Sequence, residues 1–231
     1  MVRLHVFAEG RTEQTFADTV LKPYLANLGV YMSKPVLIAH ARKKGSVHRG
    51  GGRNFAAMQS DIRRRLKQEP GDEVFFTTMI DLYALHTSFP GFETAERLRH
   101  DPYKRVETLE KAWSDETKDQ RFIPFIQLHE FEAYLFSDAS QLAPFFDNAD
   151  ARIAHLRREA NEVISPELIN DGRHTSPSKR IIAQFPEYEG LKATVGPQVA
   201  ERIGLEVIRS RCSHFAAWVQ RLAHLPEELS R

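Results

Sequence analysis

The run Val74-Phe75-Phe76-Thr77-Thr78-Met79-Ile80 is apolar or β-branched without a break and holds no charge. A strand with one wet face alternates polar and apolar residues, so an uninterrupted run belongs to a strand covered on both faces. Such a strand requires helices above and below it, and the flanking sequence supplies them. Residues 2–8 read as a first strand ended by Glu9-Gly10, residues 35–39 as a second, 74–80 as a third and 122–126 as a fourth. Pro124 gives the last an edge position or a bulge. Between the first two, Thr12 offers an N-cap hydroxyl. Phe16, Val20, Leu21, Tyr24, Leu25 and Leu28 then recur at helical spacing, with a kink or break expected at Pro23 and a stop at Gly29. Residues 54–68 carry Phe55, Met58, Ile62 and Leu66 on one helical face, and residues 102–116 carry Val106, Leu109 and Trp113.

This β-α-β-α-β-α-β order predicts an α/β fold, a mostly parallel four-stranded sheet flanked by helices. Beyond His129 the signals turn helical, over residues 130–136, 151–163, 178–184, 197–209 and 214–225, with a polar loop over 165–177. The expected organisation is an α/β core over residues 1–136 and a helical C-terminal half, 137–231, packed on the same core.

Composition removes several classes of function. Lys and Arg number 32 against 31 Asp and Glu, a net charge of +1, which excludes a strongly basic or polyacidic tail but not a local patch. The single cysteine, Cys212, excludes an intramolecular disulfide framework and a cysteine-based zinc site. No stretch reaches the about 18 apolar residues of a membrane span. No apolar signal region precedes the first strand, so a cytoplasmic protein is expected. The ten histidines show no His-x-x-x-His pairing and no serine sits in a nucleophile elbow. Hydrolysis through a protein nucleophile therefore has no support.

Acids gather where the strands end. Ligands of open parallel sheets bind beyond the carboxyl ends of the strands. Glu9 follows the first strand, Asp81 the third, and His129, Glu130 and Glu132 the fourth, while Glu13 lies four residues after Glu9. Carboxylates brought together raise one another's pKa unless a cation neutralises them. Mg²⁺ or Mn²⁺, a hard ion that takes oxygen ligands, suits the set. Each acid alone also fits a plainer role, as a turn former or a favourable charge in a first helical turn. His129 reads as a ligand or base, or as a partner in a local hydrogen bond.

Two basic segments accompany the acids. Residues 42–53 hold five cations, Arg42, Lys43, Lys44, Arg49 and Arg53, among four glycines and no acid. Glycine backbone and basic side chains together suit a phosphate chain, although the spacing is not that of a Walker loop. A solvated surface loop is the other reading. Ser176-Pro177-Ser178-Lys179-Arg180 stands at a helix start, with Ser178 as N-cap or phosphate contact and Lys179 able to touch a transition state. Arg173 and His174 extend that patch, and Tyr83, Phe89 and Phe92 either stack a base or pin their loop.

Glu9-Gly10-Arg11-Thr12-Glu13, Met79-Ile80-Asp81-Leu82-Tyr83, Leu128 to Phe136 and Ser176 to Arg180 together resemble the motifs of the DUF4276 family of Toprim-like proteins. The resemblance implies a Toprim-like fold and a Mg²⁺-dependent nuclease related to OLD and RloB-type proteins. Glu9 then matches the Toprim glutamate, Asp81 the first aspartate of Asp-x-Asp, Glu13 a second acid one helical turn on, and Phe131-Glu132 a Phe-Glu motif. Tyr83 stands where the second aspartate would be, which removes a ligand unless Glu130 or Glu132 supplies one. On this reading Glu9, Asp81 and Glu132 hold metal and carry catalysis with Lys179. Glu13 and Glu130 complete the metal site, while Arg42, Lys43, Lys44, Arg49, Arg53, Ser178 and Arg180 hold the nucleic acid. The resemblance implies equally an accessory subunit of an ABC- or AAA-type ATPase in bacterial phage defence, inert alone. A structural protein that keeps the acids for stability is the third reading.

Overall fold

The computed structural model describes residues 1–38, 55–169, 172 and 174–229. Among them six strands, all parallel, form one sheet: β1 (Val2–Ala8), β2 (Val30–Met32), β3 (Val36–Leu37), β4 (Val74–Asp81), β5 (Phe122–Ile123) and β6 (Ile126–Gln127). β1 and β4 lie side by side, in register from Arg3 opposite Val74 to Ala8 opposite Met79. β2 and β3 flank the two ends of β1, and β5 and β6 flank the two ends of β4. The six pieces therefore occupy four positions. The α/β architecture is as expected, with each outer position split in two.

Pro124 causes one of the splits. It has no N–H to give a ladder, so the expected strand 122–126 breaks around it. Two threonine hydroxyls of β4 take over. Thr77 Oγ1 donates to Ile123 O at 2.6 Å, while Thr78 Oγ1 donates to Phe125 O at 2.9 Å and accepts from Phe125 N at 2.8 Å. At the opposite edge β2 was not expected, because three residues are too few for a periodic signal.

The helices pack in two layers. α1 (Arg11–Phe16) runs into a π-helical turn, Ala17–Leu21, and then α2 (Lys22–Ala26). The turn falls just ahead of Pro23, where a break was expected, and Gly29 adopts φ +80° beyond the helix end. α3 (Phe55–Gln68), α4 (Phe92–Glu96) and α5 (Pro102–Thr117) follow. Met58, Ile62 and Leu66 of α3 and Val106, Leu109 and Trp113 of α5 meet Phe7, Phe76, Ile80 and Phe122 in the core on one face of the sheet.

Past β6 the chain forms 3₁₀ turns over Phe131–Ser137 and Ala139–Phe145. It continues through α6 (Asp150–Asn161), a 3₁₀ turn at Pro166–Leu168, α7 (Pro177–Gln184), α8 (Tyr188–Ile203), α9 (Leu205–Arg211), α10 (Ser213–Ala223) and α11 (Leu225–Glu228). These cover the other face, where Leu4, Val6, Phe75, Met79 and Ile123 join Phe16 and Leu25 with Val199, Phe215 and Trp218. Trp218 Nε1 reaches the middle of the sheet and donates to Thr77 Oγ1 at 2.9 Å. Among the described residues no helix is long and apolar enough to cross a membrane.

Three local expectations are corrected. Segment 130–136 is 3₁₀ rather than α-helical. The helix expected over 197–209 instead begins at Tyr188, passes through Pro197 and breaks at Gly204, which adopts φ +84°. Gly196 lets the helix pack closely: a Cβ there would stand 2.9 Å from the Tyr188 hydroxyl and 3.5 Å from both Phe131 and Thr12. Ser178 is not the cap of α7, since Ser176 holds that position and Pro177 follows in the first turn.

Candidate active site

Parallel strands deliver their last side chains to one rim, and here the alternation of β4 and β6 turns Asp81 and Gln127 toward the face covered by α1 and the C-terminal helices. Glu9 leaves β1 beside them, and its Oε2 accepts the Asp81 backbone N–H at 2.6 Å. Gln127, fully buried, donates from Nε2 to Asp81 Oδ1 at 2.7 Å and lies close enough to Glu13 to lower its carboxyl pKa. Glu13 Oε2 accepts the Gly10 N–H at 2.9 Å, so Gly10 caps α1 and Thr12, the expected cap, lies inside the helix. Where β6 ends, His129 turns the chain in the left-handed region at φ +63° and accepts the Tyr83 N–H at 3.0 Å.

That turn brings in Glu130 and Glu132, both buried. Glu130 is held by Ser178 of α7, Oε1 by the backbone N–H at 2.5 Å and Oε2 by the hydroxyl at 3.1 Å. Glu132 Oε1 lies 3.5 Å from the Tyr188 hydroxyl and 3.6 Å from Lys192 Nζ, both on α8. Burial, then the charge of Glu130, pushes the Glu132 carboxyl up to about 7 against the pull of Lys192, with Glu13 adding to the rise. Burial also raises Glu13, opposed by its backbone hydrogen bonds and by Gln127 and assisted by the charge of Glu130. Glu9 thus meets the Asp81 backbone and Gln127 the Asp81 carboxyl, while Glu13, Glu130 and Glu132 bear on one another through charge.

The oxygen-only donor chemistry fits a hard divalent ion, and the buried Gln127 Oε1 has no hydrogen-bond partner among the described residues. As the side chains stand, however, no group of three or more His, Cys, Asp and Glu among the described residues is placed to hold a metal ion. Their oxygens are engaged instead by backbone amides, Ser178, Gln127 and Lys192.

The basic candidates divide. Lys179 is half-exposed and lies 3.8 Å from Glu189. Arg180 is committed to structure, pairing with Glu159 at 2.7 Å and donating to Thr175 O. Ser178 anchors Glu130 rather than facing outward. Arg42, Lys43, Lys44, Arg49, Arg53 and Arg173 lie outside the described residues. Of the loop aromatics, Phe89 is buried edge-on to Phe55 and Trp113, and Phe92 packs on the same core, whereas Tyr83 is half-exposed. A shallow groove of about 620 Å³ along α3 has none of these carboxylates on its walls, and Arg63 and Arg64 there are paired with Glu116 and Asp61.

Sequence reasoning missed Gln127, Tyr188 and Lys192. Gln127 carried a signal, a lone polar residue in an otherwise apolar strand. Tyr188 and Lys192 carried none, since they meet Glu132 only through the docking of α8. No curated protein and no solved structure matches the chain. A family model does, DUF4276, a domain of unknown function, over residues 8–223, and the chain belongs to that family.

Proposed function

We propose that this protein is a Mg²⁺- or Mn²⁺-dependent phosphodiesterase of Toprim type, a nuclease acting on DNA or RNA. One observation carries the reading: acids that follow three separate strand ends gather at one rim of a parallel sheet, where burial and the charge of Glu130 push the Glu132 carboxyl up to about 7. Glu9, Asp81 and Glu132 hold the cation, with Glu13 and Glu130 beside them. The ion supplies an activated water and stabilises charge on the leaving oxygen. Lys179 contacts the phosphate, and the basic segment 42–53 tracks the backbone. Folded protein with Mn²⁺ should cut plasmid, single-stranded DNA or tRNA, and Glu9→Gln or Asp81→Asn should reduce the rate on the order of a hundredfold or more. Absence of cleavage on all three substrates by the folded protein overturns the reading.

A second reading, an accessory subunit of an ABC- or AAA-type ATPase in bacterial defence, is favoured by a specific observation. The acids are satisfied by protein donors, and no ligating trio stands among the described residues. In that case the protein co-purifies with an ATPase and millimolar Mn²⁺ leaves its melting temperature unchanged. A native-state metal site would raise it.

A further inference from the structure

Gln127 closes β6 directly opposite Asp81 and is fully buried. Its amide nitrogen donates to Asp81 at 2.7 Å, and the same side chain lies close enough to Glu13 to hold that carboxyl's pKa down against burial. The oxygen end, Oε1, is buried and has no hydrogen-bond partner among the described residues. A buried carbonyl left unpaired is costly. Turning the amide over would be worse, because Oε1 would then face carboxylate oxygens, lone pair against lone pair. The amide nitrogen therefore presents its partial positive charge to Asp81, with Glu13 nearby. A true cation in that space reverses the preference: the oxygen becomes the favoured end, and the two carboxylates no longer need the N–H donors. The Tyr134 hydroxyl, a second buried oxygen without a partner among the described residues, is within electrostatic reach of the same two acids. Carboxylates with neutral oxygens beside them are the mixed donor set that hard divalent ions take.

We propose that Gln127 is an oxygen ligand of a divalent-cation site shared with Asp81 and Glu13, its amide turning over as the ion enters. This rests on the metal-dependent reading above and extends it to a residue outside the strand-end acids. An ordered water on Oε1 is the competing explanation, and it predicts an amide indifferent to metal.

The test uses the full chain. In ¹⁵N-labelled protein the side-chain amide signals of Gln127, assigned by their absence in Gln127→Met, should shift saturably with Mg²⁺. Calorimetry with Mn²⁺ should show affinity weakened about tenfold or more in Gln127→Met. Gln127→Glu should bind the ion at least as tightly as the unaltered protein, yet melt lower without it, because the site gains an anion and loses its donors. If the protein binds Mn²⁺ but Gln127→Met binds it equally well and the amide signals stay fixed, the Gln127 assignment falls while the metal reading stands. If neither ion binds, both fall. Should Gln127→Met fail to fold, Gln127→Glu provides the assignment, and its affinity with the amide titration decides.

Discussion

Glu132 is a carboxyl whose surroundings work against its charge, which makes it measurable. Its pKa of about 7 in the fold exceeds the ordinary value of 4.5, so the folded protein keeps a proton that the unfolded chain releases. Stability is then undiminished below the unfolded value and falls as pH rises from there through about 7. Glu132→Gln should raise metal-free stability at pH 8 by on the order of a few kcal/mol and leave it nearly unchanged near pH 4. Thermal melts at the two pH values check this, and equal shifts at both would contradict it. Thr78 offers a second residue-scale test. Its hydroxyl serves both the N–H and the C=O of Phe125 beyond the proline break. Thr78→Val keeps the shape and strands both groups in the core, which should cost roughly 2–4 kcal/mol in urea unfolding. The acids at the strand ends were legible because strand, turn and acid are consecutive in sequence. The threonine bridges were not, because nothing local distinguishes a β-branched core residue from one whose hydroxyl replaces a ladder.

At the scale of elements, the β5–β6 edge shows how the fold closes a vulnerable flank. Pro124 offers no donor there, and the Ile126 N–H is taken at 2.8 Å by Glu110 of α5, leaving less for an incoming strand. The same Glu110 oxygen meets His214 Nε2 of α10 at 3.0 Å, and the imidazole stacks on Phe125. Burial pulls the His214 pKa down, but the hydrogen bond and charge of Glu110, with the charge of Glu167, outweigh it and the net shift is upward. A raised histidine stabilises fully below its unfolded value and loses that contribution as pH rises through the folded one. The urea midpoint should therefore decline as pH rises above the ordinary histidine value of 6.5, and His214→Gln should flatten that slope. An unchanged slope would remove His214 as its source. Helix periodicity revealed α3 and α5 because each buries a single stripe. It failed on α8, which buries Tyr188, Val195, Gly196, Val199 and Ala200 and shows no clean polar face around Pro197.

The whole molecule is organised by a sheet that cannot be left half covered. The layer over Leu4, Val6, Phe75 and Met79 draws on residues from Phe16 near the start to Leu225 near the end. A fragment of residues 1–136 would expose that face to water, so it should be aggregated or rapidly proteolysed where the full chain is resistant. A protease-stable, monomeric fragment would show the second half to be dispensable. The sequence pattern identified the sheet and its helical supplement, yet only the assembled chain reveals that the supplement also grips the acids, through Ser178, Tyr188 and Lys192.

The two tryptophans lie on opposite sides of the sheet, Trp113 among the α3–α5 side chains and Trp218 stacked on Phe125 at 4.2 Å with its indole nitrogen on Thr77. Nature has thus placed one fluorophore in each half of the sandwich. Single Trp→Phe replacements make the emission spectrum a layer-by-layer readout of melting, with no label attached.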